Sequence, residues 1–388
     1  MTMLRSTIRI FSALLAVGLA ALGCQAPTLH ESPHAAERLV CGFERPEDLA
    51  VLPGEEALLV SEFGGTGGED SGTLSVLVLA SEVRRELPRG PGSIAAGPSW
   101  GDPSCPGPPG PEFSPHGFDL ATRTDGVLGL AVVQHGGRES IELFEVRGSG
   151  TSWELAWRGC LVAPSYAWLN DVVWLPGTKG ELLTTHMRLR PVEDSTPAFK
   201  DVPGRESDDD ADNHADKHAD SDADSPGFVL HWAPGAGFSP VPGTRGMLPN
   251  GIEVSQDGKK IFLNLSLDHE VRRIDRATGS VEAVAELDAV DNSSWAPDGK
   301  LLVASMHLAA PDGFSMCLEH EGEACPLPFS IEAVDPSTMQ STTRYESRGV
   351  PLGGGTVGLQ VGQELFVGSF GGDCILRVDL ERLESRDL

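Results

Sequence analysis

Eight residues of this chain, Glu47, Asp48, His116, Asn170, Asp171, Asn250, Asp291 and Asn292, stand where apolar, strand-like stretches open, and seven of them carry carboxylate or amide oxygens. Oxygen ligands of this kind are what a hard cation takes. His116 adds one imidazole, the side chain whose proton exchange falls nearest neutral pH. The bland alternative is that Asx residues at strand starts only form turns. Their recurrence at corresponding places of successive repeats favours a ligand set, because a merely structural repeat could use apolar residues there.

The stretches themselves share one form. The clearest is PNGIEVSQDGKKIFLNL at 249–265, an alternating strand, an Asp-Gly turn and a second strand. The form returns in PEDLAVLPGEEALLVS from Pro46, PHGFDLATRTDGVLGLAVV from Pro115, LNDVVWLPGTKGELLTT from Leu169 and VDNSSWAPDGKLLVAS from Val290, with a worn copy, VGLQVGQELFVGSF, from Val357. Six β-meander units predict an all-β fold closed as a six-bladed β-propeller, since radial repetition leaves few sheet edges open. The innermost strand of each blade lines the central channel, so the strand openings are expected to meet on one axis. With 388 residues and 40% hydrophobic content the chain can bury a large core, and a closed ring of blades is one domain at this size. The 46 glycines and 29 prolines fit a turn-rich β protein and argue against long helices.

Residues 1–23 read as a targeting segment, with Arg5 and Arg9 ahead of an apolar run that ends in Ala-Leu-Gly-Cys. A Cys directly after a small residue resembles a bacterial lipoprotein signal, which implies lipidation at Cys24, a membrane anchor there and, with Gln25 following, outer-membrane sorting. An ordinary secretory signal is the alternative. Residues 24–40 are expected to form a flexible tether and 41–388 the propeller. Within the propeller, about 191–226 forms an acidic insertion around SDDDADNHADKHADSDADS at 207–225, too poor in apolar side chains to make a core. Asp220, Asp222 and Asp224 begin like a calcium loop, but Ser225 and His231 stand where that loop needs Gly and Glu. The net charge of −28 argues against nucleic acid or an anionic membrane surface as a partner, because phosphate backbones attract Lys and Arg surfaces. Export permits disulfides among the six cysteines that remain after Cys24, and six allow fifteen pairings. Cys317 and Cys325 bracket a short loop. Cys41 precedes the first copy and Cys374 lies in the last strand, so closing the ring would bring them together, leaving Cys105 with Cys160; buried free thiols are the alternative.

The chain has no phosphate-cradling G-x-x-x-x-G-K loop and no C-x-x-C pair. PEDL at Pro46, SPHGFDL at Ser114, VVQHGGRESIELFEV at Val132, LNDVV at Leu169, PNGIEVSQDGK at Pro249 and VDNSSWAPDG at Val290 together resemble the paraoxonase or arylesterase branch of the calcium-dependent six-bladed propellers, the superfamily that also holds gluconolactonases and strictosidine-synthase-like proteins. The resemblance implies a catalytic calcium held by Glu47, Asn170, Asn250, Asp291 and Asn292. It also implies a structural calcium held by Asp48, Asp171 and the backbone carbonyl of Phe118. His116 and His135 resemble that family's histidine dyad, His116 as the general base that activates water and His135 as its orienting or relaying partner. His186 and His307 end strands and could also face the cavity. The function implied is hydrolysis of a small-molecule lactone or aryl ester; a non-catalytic, lipid-anchored calcium-binding module is the alternative. Where the family carries an amphipathic lid after the third copy, this chain has the acidic insertion.

Overall fold

The computed structural model describes residues 35–65, 70–88, 100–189, 226–308, 325–349 and 351–385. Six antiparallel four-stranded sheets follow one another along the chain. The first blade is β2 (Pro46–Val51), β3 (Ala57–Glu62), β4 (Thr73–Val78) and β5 (Val83–Glu86), and the second is β6 (Pro115–Thr122), β7 (Leu128–Gln134), β8 (Ser140–Ser149) and β9 (Ser152–Val162). The third is β10 (Ala167–Trp174), β11 (Leu182–Leu189), β12 (Phe228–Ala233) and β13 (Gly237–Pro240), and the fourth is β14 (Pro249–Val254), β15 (Lys260–Leu265), β16 (Glu270–Asp275) and β17 (Val281–Glu286). β18 (Ala289–Trp295), β19 (Leu301–Met306), β20 (Phe329–Val334) and β21 (Ser341–Ser347) make the fifth. The sixth joins β22 (Gly355–Val361), β23 (Glu364–Ser369) and β24 (Cys374–Asp379) to β1 (Glu37–Cys41), the first strand of the fold. The protein is a six-bladed β-propeller. A one-turn helix, α1 (Leu380–Glu384), follows β24, capped by the Asp379 carboxylate accepting from the Arg382 N–H.

The six repeated stretches are the first two strands of each blade, and the hairpin between them turns at a glycine of positive φ in each case. Gly54, Gly126, Gly177, Gly258, Gly299 and Gly362 occupy these turns, with φ between 58° and 94°. Second strands such as β3 and β15 read as nearly unbroken apolar runs because both faces of a blade are covered by its neighbours. Leu59 faces the second blade while Leu58 and Val60 face the sixth, and Ile261 and Leu263 face the third while Phe262 faces the fifth. The core is therefore six separate apolar layers, one at each blade–blade interface. Each fully buried Leu or Phe in these layers contributes roughly 1.5–3 kcal/mol.

Closure of the ring sets the limits of the propeller. Glu37 to Cys41 pair in register with Val378 to Cys374, so residues 37–40, expected as part of the tether, are structured: their peptide groups complete the ladder of β24, an edge that would otherwise stay open. The directly opposed Cys41 and Cys374 form a disulfide that joins points 333 residues apart, and Cys105 bonds Cys160. Cross-linking so long a loop removes much unfolded-state entropy. Cys317, Cys24, residues 1–23 and all of the acidic insertion except Pro226 lie outside the described residues. Among the described residues no helix is long and apolar enough to cross a membrane.

Candidate active site

Every inner strand carries the same irregularity. The register between first and second strands shifts between Pro46 and Asp48, Pro115 and Phe118, Leu169 and Val172, Pro249 and Ile252, Val290 and Ser293, and Gly355 and Val357. A bulge places extra residues on one strand and re-aims their side chains. Between the paired positions lie Glu47, the pairs His116-Gly117, Asn170-Asp171, Asn250-Gly251 and Asp291-Asn292, and Thr356. All eight residues singled out by type and spacing are more than nine-tenths buried. Glycine at the second position of two pairs is a packing requirement. A Cβ on Gly117 would stand 2.7 Å from the Asn170 carbonyl oxygen, and one on Gly251 would stand 2.6 Å from that of Asp291.

Four of the five residues expected to hold the catalytic ion share one feature. Glu47 Oε2, Asn170 Oδ1, Asn250 Oδ1 and Asn292 Oδ1 are buried oxygens without a hydrogen-bond partner, contributed by four different blades. Their partner atoms are engaged, which fixes which way each group points. Asn292 Nδ2 donates to Glu47 Oε1 (2.7 Å), Asn170 Nδ2 donates to Met187 Sδ (3.2 Å), and the Asn250 amide donates to the Asp291 carboxylate. The sixth blade contributes support: Thr356 Oγ1–H donates to the Glu47 carbonyl at 2.6 Å. Leaving one buried acceptor unmade costs about 1–3 kcal/mol. Burial pushes the Glu47 carboxyl well above its usual range, with repulsion from Asp48 and Asp291 adding to it. Asp291 is pushed up to about 8, chiefly by burial. Two carboxylates and three amide oxygens, several of them orphaned and with no cationic side chain among them, fit a calcium ion.

Asp48 and Asp171 sit one residue further along their strands and are bonded differently. Asp48 Oδ1 accepts from the Leu49 N–H (2.8 Å) and Oδ2 from the Phe118 N–H of the next blade (3.0 Å). Asp171 repeats the arrangement with Val172 (2.7 Å) and Ile252 (2.9 Å). Phe118 thus meets Asp48 through its N–H. These carboxylates stitch the first blade to the second and the third to the fourth, and none of their oxygens is orphaned. Burial still pushes Asp48 up to about 7 and Asp171 well above its usual range. Asp119, whose Oδ2 accepts from the Trp174 N–H (2.8 Å), is pushed up to about 6 by burial.

The second blade contributes a histidine in place of an oxygen. His116 Nδ1 lies 2.9 Å from His135 Nε2, and His116 Nε2 lies 3.8 Å from Glu47 Oε1, so the imidazole bridges the dyad and the oxygen ring. Phe63 stacks on His116 with centroids 4.4 Å apart, and the Ser61 hydroxyl donates to the His116 carbonyl. Burial, with His135 adding to it, holds His116 well below its ordinary value, so it is a neutral imidazole at pH 7. His135 Nδ1 in turn lies 3.0 Å from Glu139 Oε2. Glu139 escaped the reading of the sequence, although its position four residues after His135 in QHGGRE was a local signal. His186 is packed between Tyr166 and Phe228, its Nδ1 accepting from the Trp168 N–H, and burial lowers it to about 4. His307 pairs with Ser330 at 3.2 Å. Neither joins the dyad.

No protein-family model matches the chain, and no curated protein matches it. Among solved structures it is similar to a luciferin-regenerating enzyme, at 13% identity and a TM-score of 0.48 over 87% of this chain and 92% of that one. It is also similar to a gluconolactonase of Xanthomonas campestris (14%, 0.46, 88% and 89%) and to the calcium-binding protein regucalcin of Agrobacterium tumefaciens (14%, 0.45, 87% and 91%). Likeness at this level relates no chemistry, and the six-bladed architecture stands on the strand pairing alone.

Proposed function

We propose that the protein is a calcium-dependent hydrolase of lactones or aryl esters, of the paraoxonase-like kind that its motifs resemble. The observation that carries the reading is the set of four orphaned, buried oxygens from four blades, placed beside a neutral imidazole that a second histidine backs. A calcium ion held by Glu47, Asn170, Asn250, Asp291 and Asn292 would polarise the substrate carbonyl and stabilise the charge that develops on it. His116 Nε2 takes a proton from the attacking water, and Nδ1 remains anchored on His135. Phe63 keeps the imidazole plane fixed through that transfer. Asp48 and Asp171 hold the inner strands in place through the peptide N–H groups their oxygens accept, and the lone pairs that remain would serve the structural calcium that the resemblance implies at Asp48, Asp171 and the Phe118 carbonyl.

Two variants separate base from metal ligand when turnover of a lactone panel and of phenyl acetate is followed against calcium concentration. His116→Gln is expected to bind calcium normally, as read by calorimetry, and to lose about 100-fold or more in hydrolysis, the usual worth of a general base. Added calcium does not restore it. Asn170→Ala is expected to bind calcium more weakly and to regain part of its activity as calcium is raised. Calcium-independent turnover, or a His116→Gln variant as active as wild type on every substrate, would overturn the reading.

A further inference from the structure

We infer that Glu139 is a positioning residue that sets the tautomers of both histidines and leaves the His116 Nε2 lone pair free toward the oxygen ring. The inference rests on the reading of His116 as the base. An ionised carboxylate only accepts hydrogen bonds, so the ring nitrogen facing it must carry a proton. That nitrogen is His135 Nδ1, 3.2 Å from Glu139 Oε1 and 3.0 Å from Oε2. His135 Nε2 is then an acceptor, and the proton on the 2.9 Å bond belongs to His116 Nδ1. His116 Nε2 is left with its lone pair, 3.8 Å from Glu47 Oε1. The order Glu139, His135, His116 repeats the logic by which a carboxylate fixes the imidazole of a hydrolytic triad, extended by one further ring.

The carboxylate is held where it cannot swing away. Leu169 N–H, from the inner strand of the third blade, donates to Glu139 Oε1 at 2.6 Å, and the Glu139 carbonyl accepts from the Ala163 N–H. The preceding loop needs glycine: a Cβ on Gly136 would stand 1.3 Å from the Glu112 carbonyl oxygen. Arg138 clamps the same loop, donating from Nε to Glu142 Oε1 (3.0 Å) and from Nη2 to the Gly107 carbonyl (2.8 Å). Glu139, His135 and His116 are 5%, 1% and 5% exposed, so water does not compete for these bonds.

Glu139→Gln inverts the arrangement. With its one oxygen kept on the Leu169 N–H, the amide NH2 of the glutamine faces His135 Nδ1 and makes it an acceptor. Both imidazoles then carry their protons on Nε2, and His116 presents a donor to the ring. The test is long-range 15N NMR of the full chain labelled at histidine and loaded with calcium, with signals assigned from His116→Gln and His135→Gln. Wild type is expected to show Nδ1–H on His135 and His116, and Glu139→Gln to show Nε2–H on both. Alongside, kcat falls about 100-fold or more while KM and calcium affinity stay within about twofold. Nε2–H on His135 in the wild type would overturn the inference, and so would unchanged tautomers in the variant or unchanged kcat beside inverted ones. Should Glu139→Gln not fold, the wild-type spectrum still decides. Should the wild type turn over none of the substrates, the hydrolase reading fails while the spectra still judge Glu139.

Discussion

The oxygen ring and the tier beneath it are one residue apart in the chain and opposite in their bonding. Glu47 and Asn170 each keep one buried oxygen that nothing satisfies, whereas Asp48 and Asp171, their immediate neighbours, spend both oxygens on peptide N–H groups of two blades. Both sets are buried, and both end in side-chain oxygens. The difference lies in what each side chain reaches: no donor meets Glu47 Oε2 or Asn170 Oδ1, while Asp48 and Asp171 meet peptide N–H groups on both sides of a blade seam. An oxygen left without a donor costs stability unless a ligand takes it, while a stitched carboxylate is structural in its own right. Buried polar side chains one residue apart therefore divide into oxygens left open and carboxylates bonded across a blade seam.

Breaking the fastener should have the largest effect. Asp171→Ala strands the N–H groups of Val172 and Ile252, and about 2–4 kcal/mol of stability is expected to go, calcium or no calcium, as read by urea unfolding. A loss that calcium cancels would show that Asp171 is not a fastener. The contrasting change, Asp291→Asn, removes a buried carboxylate that its neighbours repel. Without calcium at pH 8 the variant is expected to be more stable than wild type by about 1 kcal/mol, and its calcium affinity to fall about tenfold or more. Lower stability without calcium would show that Asp291 fastens rather than binds.

A smaller effect is the pH dependence of the metal-free protein. Asp119, Asp48 and Asp291 are raised in the fold to about 6, 7 and 8, so between the ordinary carboxylate range and about pH 8 the folded chain holds more protons than the unfolded one. Stability in chelator is then full below about pH 4 for these groups and falls as pH rises through that window. Thermal unfolding from pH 5 to 8 with chelator should show the fall, and Asp291→Asn should flatten its upper end. A melting temperature that rises over this range would contradict the crowding of buried carboxylates around the axis.

Much of this was legible in the order of residues. The six repeats, the turn glycines and the oxygen-rich strand openings follow from period-2 patterning and local turn chemistry, because those properties are set by a few consecutive residues. That pattern determined by itself the all-β class, the sixfold ring and the residues that meet at its axis. Three things were decided only in the tertiary structure. Residues 37–40 join the sixth blade because β24 offers them an open edge, which no feature of ERLVC announces. The roles of Glu47 and Asp48 separate at a bulge, and a bulge is a property of two paired strands rather than of one. Glu139 becomes part of the site because the Leu169 N–H, thirty residues away in the next blade, fixes its carboxylate against His135. Hydrogen bonds across blade seams reward residues distant in sequence, so only the closed ring could reveal which polar groups were held and which were left free.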